Sequence, residues 1–418
     1  MLEALRLRSV NVRVGAALSG GSVLFGAIML VNVLNYGYTL LLGRFLGPAA
    51  YGSYASFISL SLIVLLLPLT LQQVSAKYAA ANKSVLGYLV KKSLWLGALL
   101  GAALALGAPF LAPLIDLPAS WLVGLGVATP VYALIGALRG EAQGQQQLAY
   151  LGGNMILEHA AKIMLTPLVF MGLANASGAV IATLGALPLV VIHLKKAWSE
   201  RLPAVGQREV YVAARGYALP VLVGLAAQAL LINSDVLLAN ALLSDAEAGL
   251  YAATSLVGRV VFYGSWAVSV VLFPLVAARG ARGERHLPLL YVGLGVTAVI
   301  SLGAFLFCAF LPELVVTLLF GEAYLAAAGL VAPYALVTGL YAVANIISNH
   351  YLALGRAQAA YYPLVAAIAQ LLLIGFFYSD PLSIIWLQAI SKGGLLLLLG
   401  AAASFGLLSP KRGEHVLR

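Results

Sequence analysis

The sequence predicts an all-α polytopic membrane protein with about twelve transmembrane helices, in two six-helix repeats around a central cavity. Three observations support this prediction: the composition, the length of the apolar runs and the placement of basic residues. Of the 418 residues, 62% are hydrophobic and only 9% are charged, and the mean hydropathy is +0.99. Soluble domains average about 25% charged residues. The composition therefore excludes an ordinary soluble globular protein.

Long uncharged runs provide the membrane spans. They cover residues 14–43, 45–76, 163–194 and 323–355. A bilayer core about 30 Å thick requires about 20 helical residues, so each run is long enough to cross it. The regular alternation of membrane β-strands is absent, which makes the spans helical.

Charged and turn residues set the boundaries between the spans. The predicted helices cover residues 17–42, 51–76, 91–113, 119–140, 148–170, 173–194, 215–243, 247–278, 288–311, 324–351, 358–378 and 382–407.

Basic residues lie mainly on one side of this layout. The two tails and alternate loops hold 20 of the 24 lysines and arginines, whereas the opposite loops hold only Arg44 among several acidic residues. Since basic loops stay cytoplasmic, both termini are predicted to be cytoplasmic. Topology and anionic lipid explain the net charge of +10, so no nucleic-acid partner is expected.

The chain divides near its middle. The longest hydrophilic segment predicts an N-terminal lobe at 1–197, a cytoplasmic linker at 198–214 and a C-terminal lobe at 215–418. Segments 46–54 and 243–251 share Leu, Gly and Tyr at a constant offset of 197. With six helices each, the halves have the same orientation, as in transporters that bind substrate between their halves.

Catalytic motifs are absent from the sequence. It has no His/Cys cluster with metal spacing, no nucleophile elbow and no phosphate-binding loop. An integral-membrane enzyme would be expected to carry a large outer loop or a catalytic cluster. We therefore expect a protein that is not an enzyme and that has neither a metal nor an organic cofactor.

Five ionisable residues fall inside the spans: Glu158, Lys162, Asp235, Arg259 and Lys392. Charges cost a few kcal/mol there and usually face a bundle interior or a watery cavity. Asp235 and Arg259 reach a similar depth on successive helices, where they form either a buried ion pair or a cation site beside an anion contact. Glu158 and Lys162 are four positions apart and can pair locally.

Polar residues also mark one face of the tenth predicted helix. They are Tyr334, Thr338, Tyr341, Asn345 and Asn349, spaced by three and four. Such a face suits a sugar or another polar solute, or hydrogen bonds between helices. In an outer loop, Arg44 is either an interfacial anchor or a further substrate contact.

A family resemblance rests on the pattern at residues 43–54 and on its counterpart at residues 235–253. Together they resemble bacterial polysaccharide flippases, of the O-antigen and capsule type, in the multidrug/oligosaccharidyl-lipid/polysaccharide exporter superfamily. The resemblance implies translocation of a polyprenyl-diphosphate-linked oligosaccharide by alternating access. It also implies a bilayer environment and biosynthetic partners, namely glycosyltransferases and a polysaccharide polymerase.

The resemblance assigns roles to the residues already singled out. Arg259, Lys392 and Lys162 would neutralise the diphosphate, and Arg44, Tyr341 and Asn345 would line the cavity. Asp235 or Glu158 would bind a coupling proton or sodium ion.

Two alternative functions belong to the same superfamily. A peptidoglycan-precursor (lipid II) flippase also suits a cationic cavity, but such proteins typically have fourteen helices. A multidrug/cation antiporter could use Asp235 or Glu158 for ion exchange, although a mainly cationic interior disfavours a cationic drug.

Overall fold

The computed structural model describes residues 2–81, 86–199 and 208–405, and the regular structure in these ranges is helical. The α-helices are α1 (Leu2–Val64), α2 (Leu66–Ala80), α3 (Leu86–Leu114), α4 (Ala119–Gly144), α5 (Leu148–Phe170), α6 (Ala176–Gly185), α7 (Leu187–Ser199), α8 (Arg208–Leu242), α9 (Asp245–Ala281), α10 (Leu287–Phe310), α11 (Pro312–Leu319), α12 (Ala328–Ala353), α13 (Tyr361–Phe377) and α14 (Pro381–Ser404). Two short 3-10 helices, Glu322–Ala327 and Ala357–Ala360, precede α12 and α13.

The all-α membrane fold predicted from the sequence is confirmed. Ten helical segments in the described ranges are long and apolar enough to cross a membrane. The first, Ser22–Ala80, has 59 residues, enough for two crossings. Adding the 23-residue helix α5, which is not among the ten, gives the twelve predicted spans.

The first two predicted spans form one helix with a sharp kink. Gly47 has φ 75° and ψ 172°, outside the helical region, and Pro48 follows it within α1. A positive φ of this size favours glycine, and proline lacks the N–H that would continue the helical ladder. Residues 43–50, which were predicted to be a loop between two helices, are therefore a kink within α1.

Proline also explains two interruptions that were not predicted. The break at Leu65 lies three residues before Pro68, and the break at Ala186 lies two residues before Pro188. Each proline leaves the carbonyl four residues earlier without its donor, which weakens the helix at that turn. The described structure has one further difference, because α11 forms where a loop was predicted.

The described helices cluster into two compact units. One comprises residues 1–42 and 64–222, and the other comprises residues 43–63 and 223–418. The predicted lobes at 1–197 and 215–418 stay a prediction. Of the predicted linker, residues 200–207 lie outside the described part of the chain, while the flanking residues belong to α7 and α8.

Close helix contacts in the first unit depend on small residues. Gly136, Gly140 and Gly144 form a ridge on α4, and a Cβ on any of them would overlap a backbone carbonyl of α2. Packing between α2 and α4 therefore requires glycine along this ridge.

In the second unit, the repeated segments contact each other at equivalent positions. A Cβ on Gly52 of α1 would lie 2.8 Å from the backbone nitrogen of Gly249 on α9. A Cβ on Gly249 would overlap the carbonyl of Pro48. The glycines related by the offset of 197 thus allow α1 and α9 to cross with their backbones touching.

An aromatic cluster holds the kinked part of α1 within this unit. The Tyr51 ring lies 5.9 Å from Phe320 and 6.2 Å from Tyr324, and the Tyr324 hydroxyl donates to the Gly43 carbonyl at 2.7 Å. Tyr51 and Tyr324 are fully buried. Since buried aromatic pairs add to the burial of their area, the cluster fixes residues 43–51 against the segment after α11.

Candidate functional site

The candidate site in the second unit is built around Asp235 on α8. Its side chain is completely buried. Its Oδ2 accepts hydrogen bonds from the Tyr251 hydroxyl at 3.0 Å and the Tyr334 hydroxyl at 2.6 Å. Its Oδ1 has no hydrogen-bond partner among the residues that the structure describes. One oxygen of a buried carboxylate is therefore held by tyrosines while the other is left for a further ligand.

A continuous hydrogen-bond chain runs from Asp235 to Lys392 on α14. The Lys392 Nζ donates to Gln388 Oε1 at 2.6 Å, and Gln388 Nε2 donates to the Tyr251 hydroxyl at 2.5 Å. Both α14 side chains are buried. They lie one helical turn apart, which puts them on the same face of the helix. This buried position is consistent with the placement of Lys392 inside a predicted span.

Arg259 uses different partners from Asp235. Its Nη2 donates to the Ser59 hydroxyl at 3.1 Å. Among the described residues, the salt bridges join Arg139 with Glu158 and Arg282 with Glu284, and neither involves Asp235. The two arrangements left open by the sequence, a buried ion pair and separate sites, stay predictions.

A small cavity brings several predicted residues together. Its lining comprises Ile232, Arg259, Phe262, Tyr334, Thr338, Tyr341 and Lys392. It has room for about one water molecule. Three of the predicted substrate-binding residues, Arg259, Lys392 and Tyr341, thus line one small cavity.

Aromatic packing shapes the walls of this cavity. The Tyr341 ring stacks on Phe262 at 5.3 Å with an interplanar angle of 12°, and the Lys392 Nζ lies 5.8 Å from the Tyr341 ring centroid. Gly258 lies behind Tyr334, where a Cβ would approach the tyrosine ring to 2.3 Å. The absence of a side chain at Gly258 is what lets Tyr334 reach Asp235. Asn345 is buried on the same helix but does not line the cavity.

The second polar cluster belongs to the first unit and is centred on Glu158. The sequence predicts a local pair with Lys162, but Glu158 Oε2 is bonded to Arg139 Nη2 on α4 at 2.7 Å. Arg139 Nε also donates to Asn154 Oδ1 at 2.8 Å. The direct salt bridge of Glu158 is therefore to an arginine of the neighbouring helix, a contact that sequence spacing does not show, and local pairing with Lys162 stays a prediction.

Lys162 makes a hydrogen bond and a ring contact with neutral side chains. Its Nζ donates to Asn35 Oδ1 at 2.9 Å and lies 4.5 Å from the Tyr38 ring centroid. The Tyr38 hydroxyl is 2.9 Å from Thr166 Oγ1, which fixes the ring beneath the ammonium. An amide oxygen and an aromatic face thus hold a buried cation.

Arg44 binds the end of a helix. Its Nε donates to the Leu319 carbonyl at 3.1 Å, and its Nη2 donates to the Leu318 carbonyl. These carbonyls are the last of α11, where a cation satisfies the unpaired acceptors and the helix dipole. Arg44 therefore stabilises the α11 terminus, and its role as a substrate contact stays a prediction.

The start of α14 is fixed by a polar cap. Asp380 Oδ1 accepts from the Ser383 backbone N–H at 2.8 Å, and Asp380 Oδ2 accepts from the Ser379 hydroxyl at 2.9 Å. These hydrogen bonds lower the pKa of the Asp380 carboxyl. An ionised cap also suits the positive end of the helix dipole, so it sets the register of the helix that carries Lys392.

Several residues of the two clusters were not found by sequence reasoning. Arg139 was counted among the basic residues of the cytoplasmic side because it lies near the inner end of a predicted span. Ser59 and Phe262 resemble ordinary packing residues. For Gln388, the available indication was its position four residues before Lys392.

Comparison with known proteins gives structural similarity only. No family model matches the sequence, and no curated protein sequence matches it significantly. The chain is similar to an inward-facing multidrug resistance MATE family transporter of the MOP superfamily, with a TM-score of 0.71 and 12% identity. The match covers 94% of this chain and all of the transporter.

Two further structures show the same similarity. The lipid II flippase MurJ in an inward closed conformation has a TM-score of 0.69 and 12% identity, over 90% of this chain and 87% of MurJ. A MOP superfamily transporter from Pyrococcus furiosus has a TM-score of 0.60 and 15% identity, over 95% of this chain and 96% of that one. These matches extend over nearly the whole chain, which therefore has the transporter fold shared by MATE proteins and MurJ.

Proposed function

We propose that the protein translocates a polyprenyl-diphosphate-linked oligosaccharide across a bacterial cytoplasmic membrane by alternating access. The observation that carries this proposal is the small cavity lined by both Arg259 and Lys392. Its position in membrane-spanning helices makes uncompensated charge costly. An anionic ligand would balance the charges of Arg259 and Lys392 there.

Charge at the cavity favours an anionic over a cationic substrate. Asp235 is the acid linked to this site, and its Oδ2 is already occupied by two tyrosines. Two cations and one carboxylate leave one positive charge in excess. A diphosphate binds arginine by paired hydrogen bonds and lysine as a point charge, which matches the two side chains present.

The surroundings of the cations suit the remainder of such a lipid. Tyrosine rings and hydroxyls at Tyr334 and Tyr341 offer faces for stacking and polar groups for hydrogen bonding to sugars. The cavity is too small for a diphosphate in this conformation, so substrate entry requires the cavity-lining helices to separate. In alternating access, that separation accompanies the transport cycle.

Asp235 is the proposed coupling site for a proton or sodium ion. Its Oδ1 lacks a hydrogen-bond donor among the described residues, whereas the Glu158 carboxylate is bonded to Arg139. A free carboxylate oxygen can accept a proton or ligate a cation, while an arginine-bound one must first lose its partner. We therefore favour Asp235 over Glu158.

A binding experiment tests the proposed substrate class. The purified protein in detergent would be titrated with undecaprenyl diphosphate and with neutral undecaprenol, followed by native mass spectrometry. We expect the diphosphate to bind at least about tenfold more tightly, since charge-assisted hydrogen bonds contribute about 1.5–3 kcal/mol. Arg259→Gln and Lys392→Gln should each lower that preference about tenfold.

A matched control is Lys91→Gln, because Lys91 is exposed on α3. It should leave the preference unchanged. Equal affinities for the two lipids, or tighter binding of a cationic drug such as ethidium, would contradict the proposal.

Two structural neighbours support alternatives within the same fold. MurJ is a lipid II flippase, and the MATE protein is a multidrug transporter. Lipid II also carries a polyprenyl diphosphate, so the cationic cavity favours it over a cationic drug. Translocation rates measured in liposomes for lipid II and for a polyprenyl-diphosphate oligosaccharide without peptide would distinguish the lipid II flippase from the proposed function. Our proposal expects faster translocation of the peptide-free lipid.

Within the proposal, both termini face the cytoplasm, and glycosyltransferases and a polymerase act before and after translocation. Labelling of cysteines introduced at the termini of the intact protein would test the orientation.

A further inference from the structure

We infer that Gln388 and Tyr251 are positioning residues that couple the anion-binding ammonium of Lys392 to the ion-binding carboxylate of Asp235. This inference rests on the proposed function, because it links the two sites that the proposal requires. Neither Gln388 nor Tyr251 carries charge or is assigned a contact with substrate. Their role is to make the state of one charged group depend on the other.

Hydrogen-bond chemistry fixes the direction of every link in the chain. A lysine ammonium has donors but no acceptor, so the Gln388 atom that faces it at 2.6 Å is the carbonyl oxygen. The Gln388 amide nitrogen then points to Tyr251, whose hydroxyl oxygen accepts at 2.5 Å. The Tyr251 proton is left for Asp235, at 3.0 Å. The ammonium of Lys392 thus orients both of the neutral groups.

The four residues of this chain are buried, so a change in the orientation of one side chain affects its neighbours. Gln388, Tyr251 and Asp235 are each 0% exposed, and Lys392 is 3% exposed. Bulk water therefore does not replace a lost partner within the chain. In a medium of low dielectric constant, linked hydrogen bonds also polarise one another, so a donor to the Tyr251 oxygen strengthens the bond that Tyr251 donates.

Anion binding at Lys392 would be felt at Asp235 through this chain. When the ammonium turns toward a diphosphate, Gln388 loses the donor that holds its amide in place. Tyr251 then loses its polarising partner and becomes a weaker donor to the carboxylate. The Asp235 anion is less stabilised, so it takes up a proton or a cation more readily. Substrate and coupling ion would thereby bind together.

Two further charged or titratable groups at the site have described hydrogen bonds of their own. Tyr334 on α12 donates directly to Asp235, and Arg259 on α9 contacts Ser59. Neither bond involves Gln388. Removing Gln388 should therefore interrupt the hydrogen-bonded link to Lys392 while the second tyrosine still holds the carboxylate.

The first test follows protonation of Asp235 without any substrate. The infrared carbonyl band of the protonated carboxyl, assigned by its loss in Asp235→Asn, would be titrated in intact protein. Lys392→Met and Gln388→Leu should each move the midpoint to higher pH by at least about half a unit, since less stabilised anions protonate earlier. The double variant should move it by less than the sum of the two shifts.

Gln370→Leu is the matched control for these variants. Gln370 is also a fully buried glutamine of the second unit, and it donates to Ser234, next to Asp235, at 3.1 Å. It is not in the chain to Lys392, so its substitution should leave the midpoint unchanged. Additive shifts, or no shift in Gln388→Leu, would overturn the inference.

Tyr251→Phe provides a second variant if the leucine disturbs folding. It keeps the ring that packs edge-on against Tyr334 at 5.8 Å and removes only the hydroxyl. The midpoint should again rise, and adding Lys392→Met should change it little. A full further shift upon that addition would show that Lys392 acts on Asp235 by another route and would refute the link.

The second test uses undecaprenyl diphosphate and separates this inference from the proposed function. In wild-type protein, affinity for the diphosphate should fall as the pH rises through the midpoint, because binding takes up a proton. In Gln388→Leu, this dependence should be at least about twofold weaker per pH unit. An unchanged dependence would refute the link and leave the substrate proposal standing. If wild type does not prefer diphosphate over undecaprenol, the substrate proposal fails, whereas non-additive infrared shifts would still support the link.

Discussion

Glu158 in the first unit and Asp235 in the second are both acids within membrane-spanning helices, yet they are stabilised by different means. Glu158 is bonded to an arginine, and Asp235 receives two tyrosine hydroxyls. An arginine removes most of the reason for a carboxylate to bind another cation, whereas neutral donors leave its charge in place. The comparison teaches that the identity of the partner, rather than burial, distinguishes a structural acid from a candidate coupling acid.

The buried lysines extend the comparison. Lys162 is held by an amide oxygen and a tyrosine face, while Lys392 is connected through Gln388 and Tyr251 to a carboxylate. Each unit therefore has a cation and an acid in its polar cluster. Only in the second unit does a described hydrogen-bond chain join the lysine to the acid.

The largest expected effect is on transport in Asp235→Asn. The amide keeps an acceptor for the tyrosine hydroxyls but cannot bind a proton or sodium ion as a carboxylate does. We expect coupled translocation of a polyprenyl-diphosphate oligosaccharide in liposomes to fall about a hundredfold, a range typical of the loss of an essential group. Glu158→Gln, the matched change in the other cluster, should lower it less than about fivefold. Equal losses in both variants would remove the proposed distinction.

The next effect concerns stability, in Arg139→Leu. Removing one partner of a largely buried ion pair strands Glu158 and should cost about 2–4 kcal/mol of unfolding free energy. The double variant Arg139→Leu/Glu158→Leu should recover much of this loss, because no unpaired charge remains. Thermal unfolding in detergent would measure both variants. A single variant as stable as wild type would argue against a structural role for the pair.

A smaller effect is expected for Gly258→Ala, which tests the tyrosines around Asp235. The added Cβ would displace the Tyr334 ring and lengthen its bond to the carboxylate. Loss of one hydrogen bond to a charged group corresponds to about 1.5–3 kcal/mol, so transport should fall about tenfold. Gly264→Ala on the same helix is a suitable control, since its Cβ would meet only Ile300, at 3.7 Å. Comparable losses in the two variants would contradict this account of Tyr334.

The smallest effect is expected for Arg44→Gln. The substitution weakens the capping of the α11 carbonyls, which contributes about 0.3–1 kcal/mol, and should leave affinity for undecaprenyl diphosphate within about twofold. Native mass spectrometry and thermal unfolding would report the two quantities. A tenfold loss of affinity would instead indicate that Arg44 contacts the substrate.

The fold was largely predictable because membrane insertion imposes length and hydropathy on each helix. The twelve predicted ranges correspond to described helices, and the departures occur at Gly47, Pro68, Pro188 and α11. Hydropathy indicates the length of a segment that can lie in the bilayer, but it does not indicate where the helix axis changes direction. One kinked helix therefore has nearly the same hydropathy profile as two separate spans. An interrupted helix likewise has nearly the same profile as one continuous span.

The candidate site was predictable only in part. Burial cost identified Asp235, Arg259 and Lys392, and helical spacing placed Tyr334 and Tyr341 on one face. Their partners depend on lateral packing between helices distant in sequence, which spacing along one helix cannot reveal. Arg139 is the clearest case, because its proximity to Glu158 is a property of two helices together.

The contact between Gly52 and Gly249 has a mechanical consequence. Because neither glycine has a side chain, a change in the crossing angle of α1 and α9 would meet no Cβ at the point of contact. Bulkier residues at these two positions would interdigitate and restrict the helices to one crossing angle. The duplicated glycine is thus suited to a pivot, where a change of angle requires little repacking.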